Sequence, residues 1–230
     1  MSRVRSAHNN RQTAAAYENE RGGGCLSFYA LTPLSVLAIG ILISLVVPHS
    51  LGQATNLAAN NSSLTNRLAP LFTPEVQYWN AAILRWSDTS SLDPNLIATI
   101  MQIESCGNVF ARSSAGALGL FQVMPSHFSS SDNPFDPDTN ALRGLTYLSD
   151  VFHTSNRDIQ SSLAAYNGGP GLIGLDASAW PAETIRYVYW GSGIYADAAQ
   201  MKTTSPRLNE WLIAGGASLC RQSHQQLNLP

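Results

Sequence analysis

The chain has 230 residues, 13 Lys+Arg against 15 Asp+Glu, and only 12% charged residues, where an ordinary soluble domain carries about 25%. Lys202 is its sole lysine, so there is no basic field for holding phosphates, and nucleic-acid binding is excluded as the main role. The 44% hydrophobic content supplies a core and excludes a mostly disordered chain.

The charges are unevenly placed. Arg3, Arg5, Arg11, Arg21, Glu18 and Glu20 precede a gap of 45 uncharged residues that ends at Arg67. Within the gap, Cys25 to Val47 (CLSFYALTPLSVLAIGILISLVV) is 23 residues without a charge. As a helix it would reach roughly 34 Å, enough to cross a hydrocarbon core of about 30 Å. The arginines before it predict a cytoplasmic tail over 1–24 and an outward-facing remainder. Residues 25–47 are therefore a transmembrane anchor or a long signal segment. Gly52 and Ala54 offer a small-x-small cleavage pattern, whereas the apolar run exceeds the usual 7–15 residues of a signal core and favours a retained anchor. The expected localisation is single-pass in the cell membrane, the alternative being secretion after signal cleavage.

Residues 48–72 lack strong periodicity and are rich in Asn, Ser and Ala, which reads as a linker. Thr73-Pro74 starts a helix carrying Val76, Trp79, Ile83 and Trp86 at spacings of three and four. Asp93-Pro94 starts a second, NLIATIMQIES, that stops at Gly107. Asp138 or Thr139 begins a third with Leu142, Leu145, Leu148 and Phe152, and Asp158 begins a fourth that ends at Gly168-Gly169. Pro181 and Pro206 sit early in two more, the last spanning 205–230. No alternating strand pattern is present, so the exported part is mostly α.

Cys25 lies in the apolar segment, which leaves Cys106 and Cys220. In an oxidising compartment they can pair and tie the C-terminus to the segment around residue 106; two separate buried thiols are the alternative. Glu104 shares the apolar face of Ile97 and Ile100. Desolvation there raises a carboxyl pKa, the condition for a general acid near neutral pH, while pairing with an arginine such as Arg112 is the structural alternative. Gln122 stands alone in the apolar run LGLFQVM, and Tyr166-Asn167 precede a Gly-Gly turn that also suits an ordinary helix cap.

Taken together, these segments resemble the catalytic domain of lytic transglycosylases, the lysozyme-like family that cleaves bacterial peptidoglycan. The stretch E-S…N…S-x-x-G-A-x-G-L-x-Q-x-M-P is met by Glu104, Ser105, Asn108, Ser113, Gly116, Ala117, Gly119, Leu120, Gln122, Met124 and Pro125. A-Y-N-G-G-P is met by residues 165–170, E-T-x-x-Y-V by Glu183, Thr184, Tyr187 and Val188, and N-x-x-x-G-x-x-Y-L by Asn140, Gly144, Tyr147 and Leu148. The resemblance covers roughly residues 90–190. It implies a lysozyme-like, all-helical catalytic domain, placed over 73–204; residues 1–89, with the expected N-terminal transmembrane helix, and the C-terminal helix fall outside the resemblance. It implies Glu104 as the single catalytic acid/base, with Ser113, Gln122, Met124, Tyr166 and Asn167 in or supporting the saccharide groove and Glu183 more structural than chemical. The implied reaction breaks the β-1,4 bond after N-acetylmuramic acid with 1,6-anhydro product formation, on glycan strands, with no metal and no cofactor. A hydrolytic muramidase and a non-catalytic peptidoglycan-binding anchor are the rival readings, and no protein partner is indicated. Val109 stands where a proline is common, Cys106-Gly107 where a bulkier pair is, and Phe121 where a methionine is; these departures bear on substrate register.

Overall fold

The chain divides into two units, Met1–Gly52 and Gln53–Pro230. The computed structural model describes residues 67–230, all in the second unit. The apolar segment 25–47 and most of the expected linker lie outside the described residues. Among the described residues no helix is long and apolar enough to cross a membrane.

The linker reading does not extend to its C-terminal end. Leu68, Ala69, Leu71 and Phe72 are buried, and the segment is held by side chains rather than by a periodic backbone. Ala69 N–H donates to Asn95 Oδ1 at 2.8 Å, and Gln77 Nε2 donates to Ala69 O at 2.7 Å. Its backbone groups are satisfied from distant residues, which is why no periodicity announces it.

The first expected helix is in fact two: α1 (Pro74–Gln77) and α2 (Asn80–Ser90). The break falls at Trp79, whose indole donates to Gly107 O at 3.0 Å and stacks on Trp86 at 6.2 Å. Thr73 does not cap α1 with its side chain; its hydroxyl donates to Gln102 Oε1 at 3.2 Å. Helix α3 (Pro94–Glu104) is capped by Asp93, which accepts from Asn95 N–H, and is buried from Pro94 through Gln102. A helix apolar on every side has to lie at the centre of its domain, and α3 packs between α2 and the long α6.

Helix α4 (Pro137–Thr154) is capped by Asp136, ahead of the expected start at Asp138 or Thr139. Asp138 is used instead to accept the Trp86 indole N–H at 2.7 Å. The inward stripe is also rotated: Leu142 is 60% exposed, while Ala141, Gly144, Leu145, Leu148 and Val151 are buried. The rotation lets Gly144 meet Phe121, where a Cβ would sit 2.6 Å from the Phe121 Cβ. Helix α5 (Ile159–Gly168), capped by Asp158, packs on both α4 and helix α6 (Ala182–Ala199).

The C-terminal stretch is not one helix. Helix α7 (Pro206–Trp211) passes through a π turn (Leu212–Gly216), in which Gly215 has φ 132°, into α8 (Ala217–Leu227). A side chain on Gly216 would collide with the Trp211 ring, so the kink requires glycine there. Beyond it, α8 packs on α1. Cys220 is bonded to Cys106, with Cα atoms 5.0 Å apart, and His224 Nδ1 lies 2.9 Å from the buried Glu75 Oε1. The described residues contain no extended strand; Arg112, Leu118 and Val123 are joined by two isolated antiparallel bridges.

The disulfide spans a sequence separation of 114, and closing so long a loop removes much chain entropy from the unfolded state. Cys220→Ser is therefore expected to lower the unfolding free energy by about 2–5 kcal/mol. In urea titrations the Cys106→Ser/Cys220→Ser pair should lose no more than either single change.

Candidate active site

Helix α3 ends at Glu104 because the next residues leave the right-handed region: Ser105 has φ −142°, Cys106 φ 49° and Gly107 φ 82°. A side chain at 107 would meet Glu75 O and the Trp79 ring nitrogen at 2.9 Å, so the sharp turn needs the glycine. Ser105 secures it, donating its hydroxyl to Leu120 O at 2.7 Å and accepting the Gly107 N–H at 3.1 Å. This leaves Glu104 at the mouth of a buried helix, half-buried itself.

The Glu104 carboxyl does not pair with Arg112, whose guanidinium lies over the Phe135 ring at 4.4 Å. It accepts instead from the hydroxyl of the buried Tyr187, at 2.7 Å from Oε1. Desolvation is the largest influence and pushes its pKa up to about 7. The Tyr187 hydrogen bond opposes that rise, and the charge of Glu183 adds to it. Burial and the nearby carboxylate together hold the Tyr166 and Tyr187 phenols well above their ordinary range, so both remain donors. A carboxyl poised near 7 can give and take a proton at neutral pH.

Beside it is a cavity of about 240 Å³ lined by Gln122, Val123, Met124, His127, Gly144, Tyr147, Tyr166, Asn167 and Gly169. Four of the residues singled out from sequence thus share one surface. Gln122 is held at φ 46° with Nε2 donating to Gly119 O at 3.0 Å. Met124 is exposed, Tyr166 donates to Phe121 O at 2.8 Å, and Asn167 Oδ1 accepts from Thr184 at 2.8 Å. Glu104 does not line this cavity; Tyr166, close enough to feel its charge, connects the two. Ser113 does not line it either. Its Oγ accepts the Ala117 N–H at 2.9 Å and closes the loop 113–117, exposed from Ser113 to Ala115.

Two contributors carried no assigned role in the sequence. Tyr187 stood in the E-T-x-x-Y-V stretch, four residues from Glu183, and that spacing on one helix face was its available signal. His127, 5.0 Å from the Tyr147 ring, had none. A larger hollow of about 470 Å³ between α2 and α4 includes Asp138 and Asp150 but not Glu104. Among the described residues, Glu75, Cys106 and Cys220 bring a carboxylate and two sulfurs within 4.8 Å. The sulfurs are bonded to each other, which makes this a disulfide beside a carboxylate and not a set of metal ligands.

The Transglycosylase SLT domain family matches residues 81–181. A "Membrane-bound lytic murein transglycosylase E" of Buchnera aphidicola is 30% identical over 168 residues, covering 63% of this chain and 72% of the relative. A "Transglycosylase" of Enterobacteria phage PRD1 is 34% identical over 114 residues, covering 49% of this chain but only 40% of its own length. The solved lytic transglycosylase Slt of Pseudomonas aeruginosa overlays 65% of this chain and 24% of its own, at 25% identity and a TM-score of 0.39.

The raised pKa has a stability consequence of definite sign. Between the ordinary value of 4.5 and about 7, folded Glu104 keeps a proton that the unfolded chain releases, so stability falls as pH rises through that window. Above it, the buried charge costs about 3 kcal/mol. Glu104→Gln is therefore expected to be more stable than the parent at pH 8 by up to that amount, and nearly equal to it at pH 4, as read by denaturant midpoints. Tyr187→Phe removes the interaction that lowers the Glu104 pKa, and titration of that carboxyl, followed by NMR, should move to higher pH.

Proposed function

Since the chain belongs to the lytic transglycosylase family, we propose that it cuts peptidoglycan glycan strands between N-acetylmuramic acid and N-acetylglucosamine and leaves a 1,6-anhydro end. Glu104 is the single acid/base. Protonated, it gives its proton to the glycosidic oxygen as the bond to C1 breaks, and the substrate's own acetamido oxygen supports the positive charge at C1. As a carboxylate it then takes the proton of the C6 hydroxyl while O6 closes on C1, which restores the acid. The observation that carries this reading is the Glu104 carboxyl, raised to about 7 and hydrogen-bonded by Tyr187 next to the cavity. Gln122, Met124, Tyr166 and Asn167 are the saccharide contacts, and Ser113 holds substrate near the N-acetyl group.

Hydrolysis would need a second carboxylate to position water. The aspartates that follow Glu104 in the chain are engaged otherwise: Asp132 with Arg143 at 2.7 Å, Asp136 as the cap of α4, and Asp138 with Trp86. That takes these three aspartates out of water positioning and favours ring closure; Glu183, whose charge reaches Glu104, is the carboxylate a hydrolytic route would have to use. Residues 25–47 anchor the chain in the membrane, with the tail in the cytoplasm and the catalytic domain outside. The apolar run and the arginines before it support this arrangement.

Digestion of purified peptidoglycan with the full chain, followed by mass analysis, tests the proposal. Product ends one water lighter than reducing ends are expected; reducing ends alone would make the chain a muramidase. Glu104→Gln should abolish turnover while saccharide binding persists, and undiminished cleavage by this variant would overturn the assignment. For the parent, kcat/KM should fall about tenfold per pH unit above about 7, as the free enzyme loses the proton it must donate.

A further inference from the structure

The loops that follow Glu104 build a second surface, outside the cavity. Phe110 is 62% exposed, with its ring 5.9 Å from that of Phe135. The Arg112 guanidinium caps Phe135 at 4.4 Å. Both rings are carried on fixed backbone: Phe110 N–H donates to Asn108 Oδ1 at 2.9 Å, and Phe135 N–H to Asn133 Oδ1 at 3.1 Å. The buried Asn140 ties the two loops together, donating to Leu118 O and Pro134 O, each at 2.9 Å. An aromatic surface held rigid and left open to water is surface kept for a partner.

Its chemistry narrows what that partner is. A guanidinium presents five N–H donors in a planar fork that takes a carboxylate in a bidentate pair, and Arg112 holds its own over the Phe135 ring. Arg112 makes no ion pair among the described residues. A neutral glycan gives such a cation nothing to pair with. The peptide stems on the muramic acid sugars do, since they combine carboxylates with short aliphatic side chains.

Placement agrees. Backbone bridges run from Arg112 to Leu118 and from Leu118 to Val123, and Val123 lines the cavity. Two inter-strand spacings put Arg112 about 10 Å from the cavity wall. The geometry points to Phe110, Arg112 and Phe135 as a binding platform for the anionic peptide stem, with Arg112 on a stem carboxylate and the rings against its aliphatic groups. The inference rests on the peptidoglycan reading above and makes Arg112 a determinant of preference for peptide-bearing over bare glycan.

The test compares cleavage of intact peptidoglycan with cleavage of glycan strands stripped of peptides by an amidase and with the freed lactyl carboxyls capped as methyl amides, using the full chain. The ratio of the two rates is the readout, so a general loss of folded enzyme cancels. For Arg112→Gln the ratio should fall about fivefold, Arg112→Lys should recover part of it, and the parent's ratio should fall as salt is raised. If the parent cuts both substrates and the ratio is indifferent to Arg112, the platform is overturned and the enzyme reading stands. If the parent cuts neither, the peptidoglycan reading fails and this inference fails with it.

Discussion

A single wholly buried amide holds the loops of this domain in place. Asn140 accepts the Phe121 N–H at 2.9 Å and donates to Leu118 O and Pro134 O. Two loop segments, 118–121 and the one at Pro134, thus hang on one side chain of α4. The packing around it leaves no slack, because a Cβ on Gly119 would overlap the Asn140 amide nitrogen. Buried polar groups are stable only when satisfied, so the loops have one arrangement that feeds this amide. That arrangement sets Phe121 O where Tyr166 reaches it and Leu120 O where Ser105 does. The cavity and the turn after Glu104 are both downstream of Asn140.

Opposing influences then set the character of Glu104. Burial favours its neutral form and the Tyr187 hydroxyl favours its charged form, with burial the stronger. The balance leaves a carboxyl that can hold or release its proton near neutrality. A salt bridge to Arg112 would have destroyed that balance by fixing the charge, and Arg112 is occupied on the Phe135 face instead.

Much of this was legible in the residues themselves. Asp93 followed by proline marked the start of α3, Pro206 marked that of α7, and the position of Glu104 on an apolar face predicted its desolvation. What escaped was whatever depended on contacts distant in sequence. Trp79 looked like a member of one helical stripe, but its indole is drawn to Gly107 O and the helix breaks there. Leu68 to Phe72 had no period because their backbone is satisfied by Asn95 and Gln77. Leu142 fitted the stripe of α4 equally well from either side until Gly144 packed on Phe121. Tyr187 was visible as a motif position, yet nothing in its spacing from Glu104 announced a hydrogen bond across 83 residues.

The bond between Cys106 and Cys220 encloses a ring of chain that holds every lining residue of the cavity and Tyr187, while Glu104 stands just two positions outside it. A protease that nicks one of the exposed turns inside the ring, such as the one around Ser178, would leave both pieces covalently joined. The helix bearing Glu104 and the helix bearing Tyr187 would still belong to one molecule. The cross-link is thus a form of tolerance to damage as well as of rigidity.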